Sequence, residues 1–199
     1  MVCPNIYIFI NDNKIFQMSL YAKYNQELKQ SLMKSLDKKN IHEVPKIEKV
    51  IVTMWIWSLH TRKGIKDFSD FEKNLRNITG QKPMMVKSRK SIANFKLREG
   101  MPSMLVVTLR KERAYDFIER LVNVTLPRVR DFTWINLKSF DKTWNYNLWF
   151  KDQAVFAEIS MEDSSVLMWV GVTIVTNTII NSDTKELLKT LWFIFKENN

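Results

Sequence analysis

Residues 103–124 change period without a break, and no other feature constrains the chain as much. Leu105, Val107 and Leu109 alternate with Met104, Val106, Thr108 and Arg110, the two-residue period of a strand over 103–110. Ala114, Phe117, Ile118, Leu121 and Val122 follow at i, i+3, i+4, i+7 and i+8, the stripe of a core-facing helix over 111–124 that Pro127 ends. A strand that runs straight into such a helix fits a sheet with helices on one face.

The remaining elements agree. Leu20, Tyr24, Leu28, Leu32 and Leu36 recur at steps of four and predict an amphipathic helix over 17–39. Residues 46–54 alternate, with Val50, Val52 and Met54 on one face and Lys49, Ile51 and Thr53 on the other. Ile65, Phe68, Phe71, Leu75 and Ile78 make a helical stripe that Gly80 closes. Residues 133–160 read as aromatic and irregular, 166–177 as a strand, and 183–193 as a last helix with Ser182 as N-cap. The order predicts one α+β domain over 17–199, preceded by an N-terminal extension, 1–16. One sheet face then stays open and carries Thr53, Thr108 and Arg110. It is either a half-polar surface suited to RNA or a face that merely tolerates water.

Charge favours the RNA reading. Lys82, Lys87, Arg89, Lys90, Lys96 and Arg98 fall within seventeen residues with no acid among them. Such a run repels itself unless a polyanion orders it. The chain carries a net charge of +10, typical of nucleic-acid partners or anionic membrane surfaces. The alternative is a basic protein with no polyanion partner.

Little points to chemistry. A single cysteine, Cys3, allows no internal disulfide, and two distant histidines, His42 and His60, make no metal cluster. No nucleophile elbow, zinc-binding motif or phosphate-cradling glycine loop occurs. Glu112, Asp116 and Glu119 are spaced to pair with Arg113 or Arg120, and nothing shows Asp141, Asp152 and Glu158 converging on a metal. The expectation is no enzyme, no catalytic residues, no metal and no cofactor. No membrane insertion is expected, because the apolar stretch 166–180 is interrupted by Thr173, Thr176, Asn177 and Thr178. The short IYIFI segment at 6–10 resembles no targeting peptide. Residues with AT-rich codons (Lys, Asn, Ile, Phe, Tyr, Met) number 83 of 199, against 23 for Gly, Ala, Arg and Pro, which favours an organelle gene over a nuclear or bacterial one.

Seven tryptophans stand out. Trp169 and Trp192, in a strand and a helix, are expected in the core. Trp144 and Trp149, in the irregular segment, suit an interface at least as well.

Five strings identify a resemblance: VPKIEKVIV at 44–52, GQKPMMVKSRKSIANFKLREG at 80–100, VTLRKERAYDFIERL at 107–121, LPRVRDF at 126–132 and KSFDKTWNY at 138–146. In this order they resemble the large-subunit ribosomal protein five family, the 5S-rRNA-associated family, most closely from about residue 42 to 160. The resemblance implies an antiparallel sheet with helices packed on one face, within the central protuberance of the large ribosomal subunit. It implies rRNA contacts at Thr53, Gln81, Lys82, Lys87, Thr108 and Arg110, to 5S rRNA if present and to large-subunit rRNA. It implies that the basic loop 86–98 meets the P-site tRNA through Arg89, Lys90, Ser91, Asn94, Phe95 and Lys96. It implies an intersubunit bridge to a small-subunit head protein through Arg128, Arg130, Asp131, Asp141, Lys142, Trp144 and Asn145, beside neighbouring central-protuberance proteins.

The departures matter too. Bacterial members look to carry glycine where this chain has Trp55, Trp57, Trp144 and Trp149, and asparagine where it has Thr53. One base change turns a GGA glycine codon into TGA, which many mitochondrial codes read as Trp, so the expected place is the mitochondrial matrix, in the mitochondrial ribosome. Two alternatives stay open: a basic RNA-binding module outside the ribosome, and a ribosomal protein held mainly by protein partners where 5S rRNA is absent.

Overall fold

The computed structural model describes residues 19–65, 67–130, 139–159, 166, 168–178, 180–193 and 195. The extension 1–16 lies outside these. Five strands form one antiparallel sheet in the order β2-β3-β1-β5-β4. They are β1 (Ile47–Trp55), β2 (Met84–Lys87), β3 (Pro102–Leu109), β4 (Tyr146–Phe150) and β5 (Val170–Thr176). Alternation sets the register. Val50, Val52 and Met54 pair with Leu109, Val107 and Leu105 on one side and with Ile174, Val172 and Val170 on the other, all on the buried face.

Helices cover that face. α5 (Glu112–Arg120) follows β3 as the change of period predicts, and buries Ala114, Tyr115, Phe117 and Ile118. It continues through a π-turn (Leu121–Thr125) into α6 (Leu126–Arg128), so Pro127 does not end it. The widened turn just before the proline relieves the clash its ring would make with the preceding carbonyls.

The first helix has a related irregularity. α1 (Leu20–Lys23) and α2 (Lys29–Ser35) are joined by a π-turn (Tyr24–Leu28), and the helix stops at Ser35, short of residue 39. Apolar residues at steps of four drift around an ordinary helix, and the wider turn keeps Leu20, Tyr24 and Leu32 buried on one side. Tyr24 and Tyr115 lie 5.2 Å apart, and their hydroxyls fix the start of β1: Tyr24 donates to the Pro45 carbonyl at 2.6 Å, and Tyr115 accepts from the Ile47 N–H at 3.3 Å. Burial pushes the Tyr24 phenol up to about 12 and raises that of Tyr115 as well.

α4 (Ser69–Thr79) ends at Gly80, whose φ of 68° is the left-handed cap position that glycine adopts freely. A short helix absent from the sequence reading, α3 (Trp57–Lys63), follows β1 directly. The last helix, α7 (Asn181–Thr190), begins after Ile180 with no side-chain cap; Ser182 lies inside it and donates to Asp183 instead. β4 lies within the segment read as irregular, where Tyr146 and Phe150 face the core.

Two tryptophans depart from expectation. Trp169 and Trp192 are 52% and 46% exposed, not in the core. Trp169 precedes the first paired residue of β5, while buried Leu191 and Phe193 take the core positions on either side of Trp192.

Candidate nucleic-acid interface

The uncovered face of the sheet is built in rows, because residues paired across antiparallel strands share a face. One row runs Thr108, Ile51, Thr173, Asn147, and the next Met84, Val106, Thr53, Gly171, Trp149. A third, nearest the β2–β3 loop, holds Val86, Met104 and Trp55.

The first row is polar apart from Ile51. The Thr173 hydroxyl donates to Asn147 Oδ1 at 2.7 Å, and both are half-buried. Each keeps hydrogen-bonding capacity of the kind that 2′-hydroxyls and base edges take up. Thr53, in the middle row, donates to the Gly171 carbonyl at 3.3 Å. Gly171 is there for close approach: a Cβ would lie 2.7 Å from Thr53 Oγ1 and 2.9 Å from the Trp149 ring. Toward the loop the face turns aromatic, with the Trp55 and Trp149 rings 6.5 Å apart.

Of the residues expected to hold rRNA, Thr53 and Thr108 lie on this face. Arg110 lies one residue past the end of β3 and is exposed at the turn into α5. Gln81 and Lys82 lead from Gly80 into β2. The Thr79 hydroxyl donates to the Leu75 carbonyl at 2.7 Å and lies 3.1 Å from the Gln81 carbonyl, and the Gln81 N–H donates to Thr79 Oγ1 at 3.4 Å, so the Gln81 backbone is held against Thr79. Lys87 is an exposed strand residue at the end of β2.

The basic loop is an ordered hairpin extension. Ser88 N–H donates to the Met101 carbonyl at 2.8 Å, and Gly100 N–H returns to Ser88 at 2.9 Å. Nearer the tip, Ile92 and Leu97 exchange both backbone bonds, at 2.8 and 3.1 Å, around a single turn of 3₁₀ helix (Ala93–Phe95). Ser91 Oγ accepts from the Glu99 N–H at 3.1 Å. Arg89, Lys90, Ser91, Asn94, Phe95 and Lys96 are all exposed. The two ion pairs found among the described residues, Lys38–Asp183 and Arg120–Glu158, involve no hairpin cation. Hairpin charge is therefore not neutralised by an internal partner in those pairs. Arg120 also pairs outside its own helix, against expectation.

The residues expected at the bridge form two groups. Arg128 and Arg130 border a cavity of ≈ 540 Å³ shared with Trp149, Lys151 and Asp152, at the hairpin end of β4. Asp141, Lys142, Trp144 and Asn145 form a tight turn at the opposite end of that strand. Trp144 N–H donates to the Asp141 carbonyl and Asp141 N–H to the Asn145 carbonyl, each at 2.9 Å. A five-residue strand separates the groups by roughly 13 Å. Asp131 lies outside the described residues. Trp144 has φ of 59°, a left-handed backbone suited to glycine.

The carboxylates considered for a metal do not converge. Asp141 accepts from Lys142 N–H at 2.6 Å, Asp152 accepts from Ala154 N–H at 2.8 Å, and Glu158 pairs with Arg120 at 2.8 Å. Among the described residues no three His, Cys, Asp or Glu side chains gather as metal ligands, and no helix is long and apolar enough to cross a membrane.

Comparison with known proteins agrees with this architecture. Residues 40–98 match the family model described as ribosomal protein L5, and residues 102–195 match the model for the C-terminus of the same ribosomal family. The chain belongs to the ribosomal protein L5 family. It is 44% identical over 173 residues to large ribosomal subunit protein uL5 of Geotalea uraniireducens, covering 87% of this chain and 96% of that one. It is 44% identical over 180 residues to uL5 of Fusobacterium nucleatum, covering 90% and 97%. It is 40% identical over 181 residues to uL5c of Paulinella chromatophora, covering 91% and 100%. The L5 family is structural, not enzymatic.

Sequence reasoning passed over Asn147 and Thr173, the polar pair on β4 and β5. The alternation of Tyr146, Leu148 and Phe150 was the available signal, and it places Asn147 on the opposite face. It also missed the contact of Trp57 with Phe95, whose rings lie 5.3 Å apart and tie the hairpin tip to α3. No local pattern announces that contact.

Proposed function

We propose that this chain is a structural constituent of the large ribosomal subunit, sited in the central protuberance and bound to rRNA. The rRNA contacts are made by the open sheet face around Thr53 and Thr108 and by Gln81, Lys82, Lys87 and Arg110. The hairpin residues Arg89, Lys90, Ser91, Asn94, Phe95 and Lys96 meet the P-site tRNA. Arg128 and Arg130, with the turn Asp141–Lys142–Trp144–Asn145, face the small subunit; Asp131 is part of the same proposal from sequence.

The observation that carries this reading is the ordered cationic hairpin, whose cations take no part in the ion pairs among the described residues, standing beside a half-polar sheet face in a chain of this family. A pre-ordered hairpin grips phosphates with little further ordering cost, and phosphate contacts suit a tRNA site that must accept every tRNA. Relatives named as large-subunit proteins support the assembly. The left-handed backbone at Trp144 supports a glycine ancestry for that position, and hence a mitochondrial gene that reads TGA as Trp.

Two measurements test it. The wild-type protein comigrates with large subunits in a sucrose gradient, and the Arg89→Ala, Lys90→Ala double variant also comigrates but leaves P-site tRNA held more weakly. A protein absent from the subunit fraction contradicts the proposal, as does undiminished tRNA binding by the variant.

A further inference from the structure

At the root of the hairpin lies a cavity of ≈ 600 Å³, within the roughly 300–1,000 Å³ range of small-ligand pockets. Its walls are largely apolar and aromatic: Trp55, Trp57, Ile92, Phe95 and Met104. Lys87 and Arg89 line it as well, and no acidic residue does. The indole N–H of Trp55 is itself buried, so this ring offers the cavity its apolar surface. Trp57 and Phe95 also wall a second hollow of ≈ 380 Å³ with Asn94 and Lys96, so both sides of this aromatic pair are accessible.

We propose that this cavity captures one unpaired RNA base, stacked against the Trp57–Phe95 pair, while Lys87 and Arg89 hold its flanking phosphates. The inference rests on the RNA-binding reading of the hairpin and adds base capture to phosphate contact. Each part of the wall selects for a nucleotide. The ring faces take a planar π-system, and the cations take an anion. An apolar protein side chain would fill the floor but leave both cations unanswered. Stacking of this kind tolerates any base, because every base presents a π-face. Trp55 and Trp57 stand where the sequence resemblance places glycines, and glycines would leave two of these walls missing.

The test uses the purified full chain and two fluorescein-labelled single strands of about ten nucleotides, an oligouridylate and the same strand with abasic sugars. Both carry the same phosphates. The abasic strand should bind about 5- to 150-fold more weakly. Trp57→Leu, which keeps an apolar support beneath Phe95, should close that gap and leave the salt dependence of binding unchanged. A thermal melt of the variant checks that it remains folded, and Trp55→Leu repeats the test from the other wall. Equal wild-type affinity for the two strands overturns base capture while the phosphate-gripping hairpin stands, and so does a gap that survives both variants. Failure of the wild type to bind either strand overturns base capture together with the RNA reading.

Discussion

The two ends of the open sheet face are made of different chemistry on one backbone. Away from the hairpin, Thr108, Thr173 and Asn147 share a row across four strands with Ile51 between Thr108 and Thr173, and Thr173 and Asn147 are hydrogen-bonded at 2.7 Å. Toward the hairpin, Trp55, Trp149, Met104 and Val86 take the equivalent places, and cations gather at the rim. The pleat, the register and the helices beneath are shared. The difference therefore lies in outward side chains alone, and one scaffold can present hydroxyl and amide contacts at one end and ring faces at the other without any change in its core.

That comparison requires a common core, which is where it is most easily broken. Phe117 is buried under the sheet, and Phe117→Asp would place an unpaired charge there. The variant should show no cooperative thermal transition by circular dichroism. A cooperative melt would mean the two ends are supported separately.

Alkali probes the same core. Burial holds the Tyr24 and Tyr146 phenols up at about 12, above the ordinary tyrosine value of roughly 10. The neutral phenol is the form the fold favours. Stability should thus be flat with respect to these groups below about pH 10 and fall as pH rises toward 12. Urea midpoints measured across that interval give the result; a rise in stability there would contradict the burial argument.

The seam between the two ends is Gly171. Gly171→Ala forces a methyl against Thr53 and Trp149 and should cost about 1–3 kcal/mol in chemical denaturation. In a Trp149→Ala background the cost should shrink, because one of the two clashing neighbours is gone. Equal costs in both backgrounds would show that the Trp149 ring does not define the boundary.

The smallest effect on stability belongs to the hairpin. Arg89→Ala with Lys90→Ala should change folding free energy by no more than about 0.5 kcal/mol, because both residues are exposed and outside the ion pairs. The slope of log K against log salt for RNA should nevertheless fall by roughly 0.7–0.9 for each phosphate that the variant no longer neutralises. Disappearance of the thermal transition would place these residues in the fold instead of at the interface.

What the sequence disclosed depended on how local the cause was. β1, β3, α4 and α5 were legible because each buries one clean face, so periodicity alone reveals them. Gly80 marked a helix end because only its backbone conformation mattered. α3 escaped because seven residues give too short a stripe, and β4 because its outward Asn147 and Trp149 sit among a run of aromatics that obscures the alternation. Pro127 and Ser182 misled because each was read by its usual role. A π-turn accommodates the proline, and α7 starts two residues earlier than a Ser182 cap allows. In the site, Thr53 and Thr108 followed from alternation, whereas the Thr173–Asn147 pair and the Trp55–Trp149 contact join residues distant along the chain that only register brings together.

The most direct test of the account is UV crosslinking of this protein within purified ribosomes, with the attached RNA sequenced and the crosslinked peptides mapped. The account predicts rRNA on the sheet peptides holding Thr53, Thr108 and Asn147, and tRNA on the hairpin peptide holding Arg89 to Lys96. Crosslinks absent from both peptides, in ribosomes that contain the protein, would contradict it.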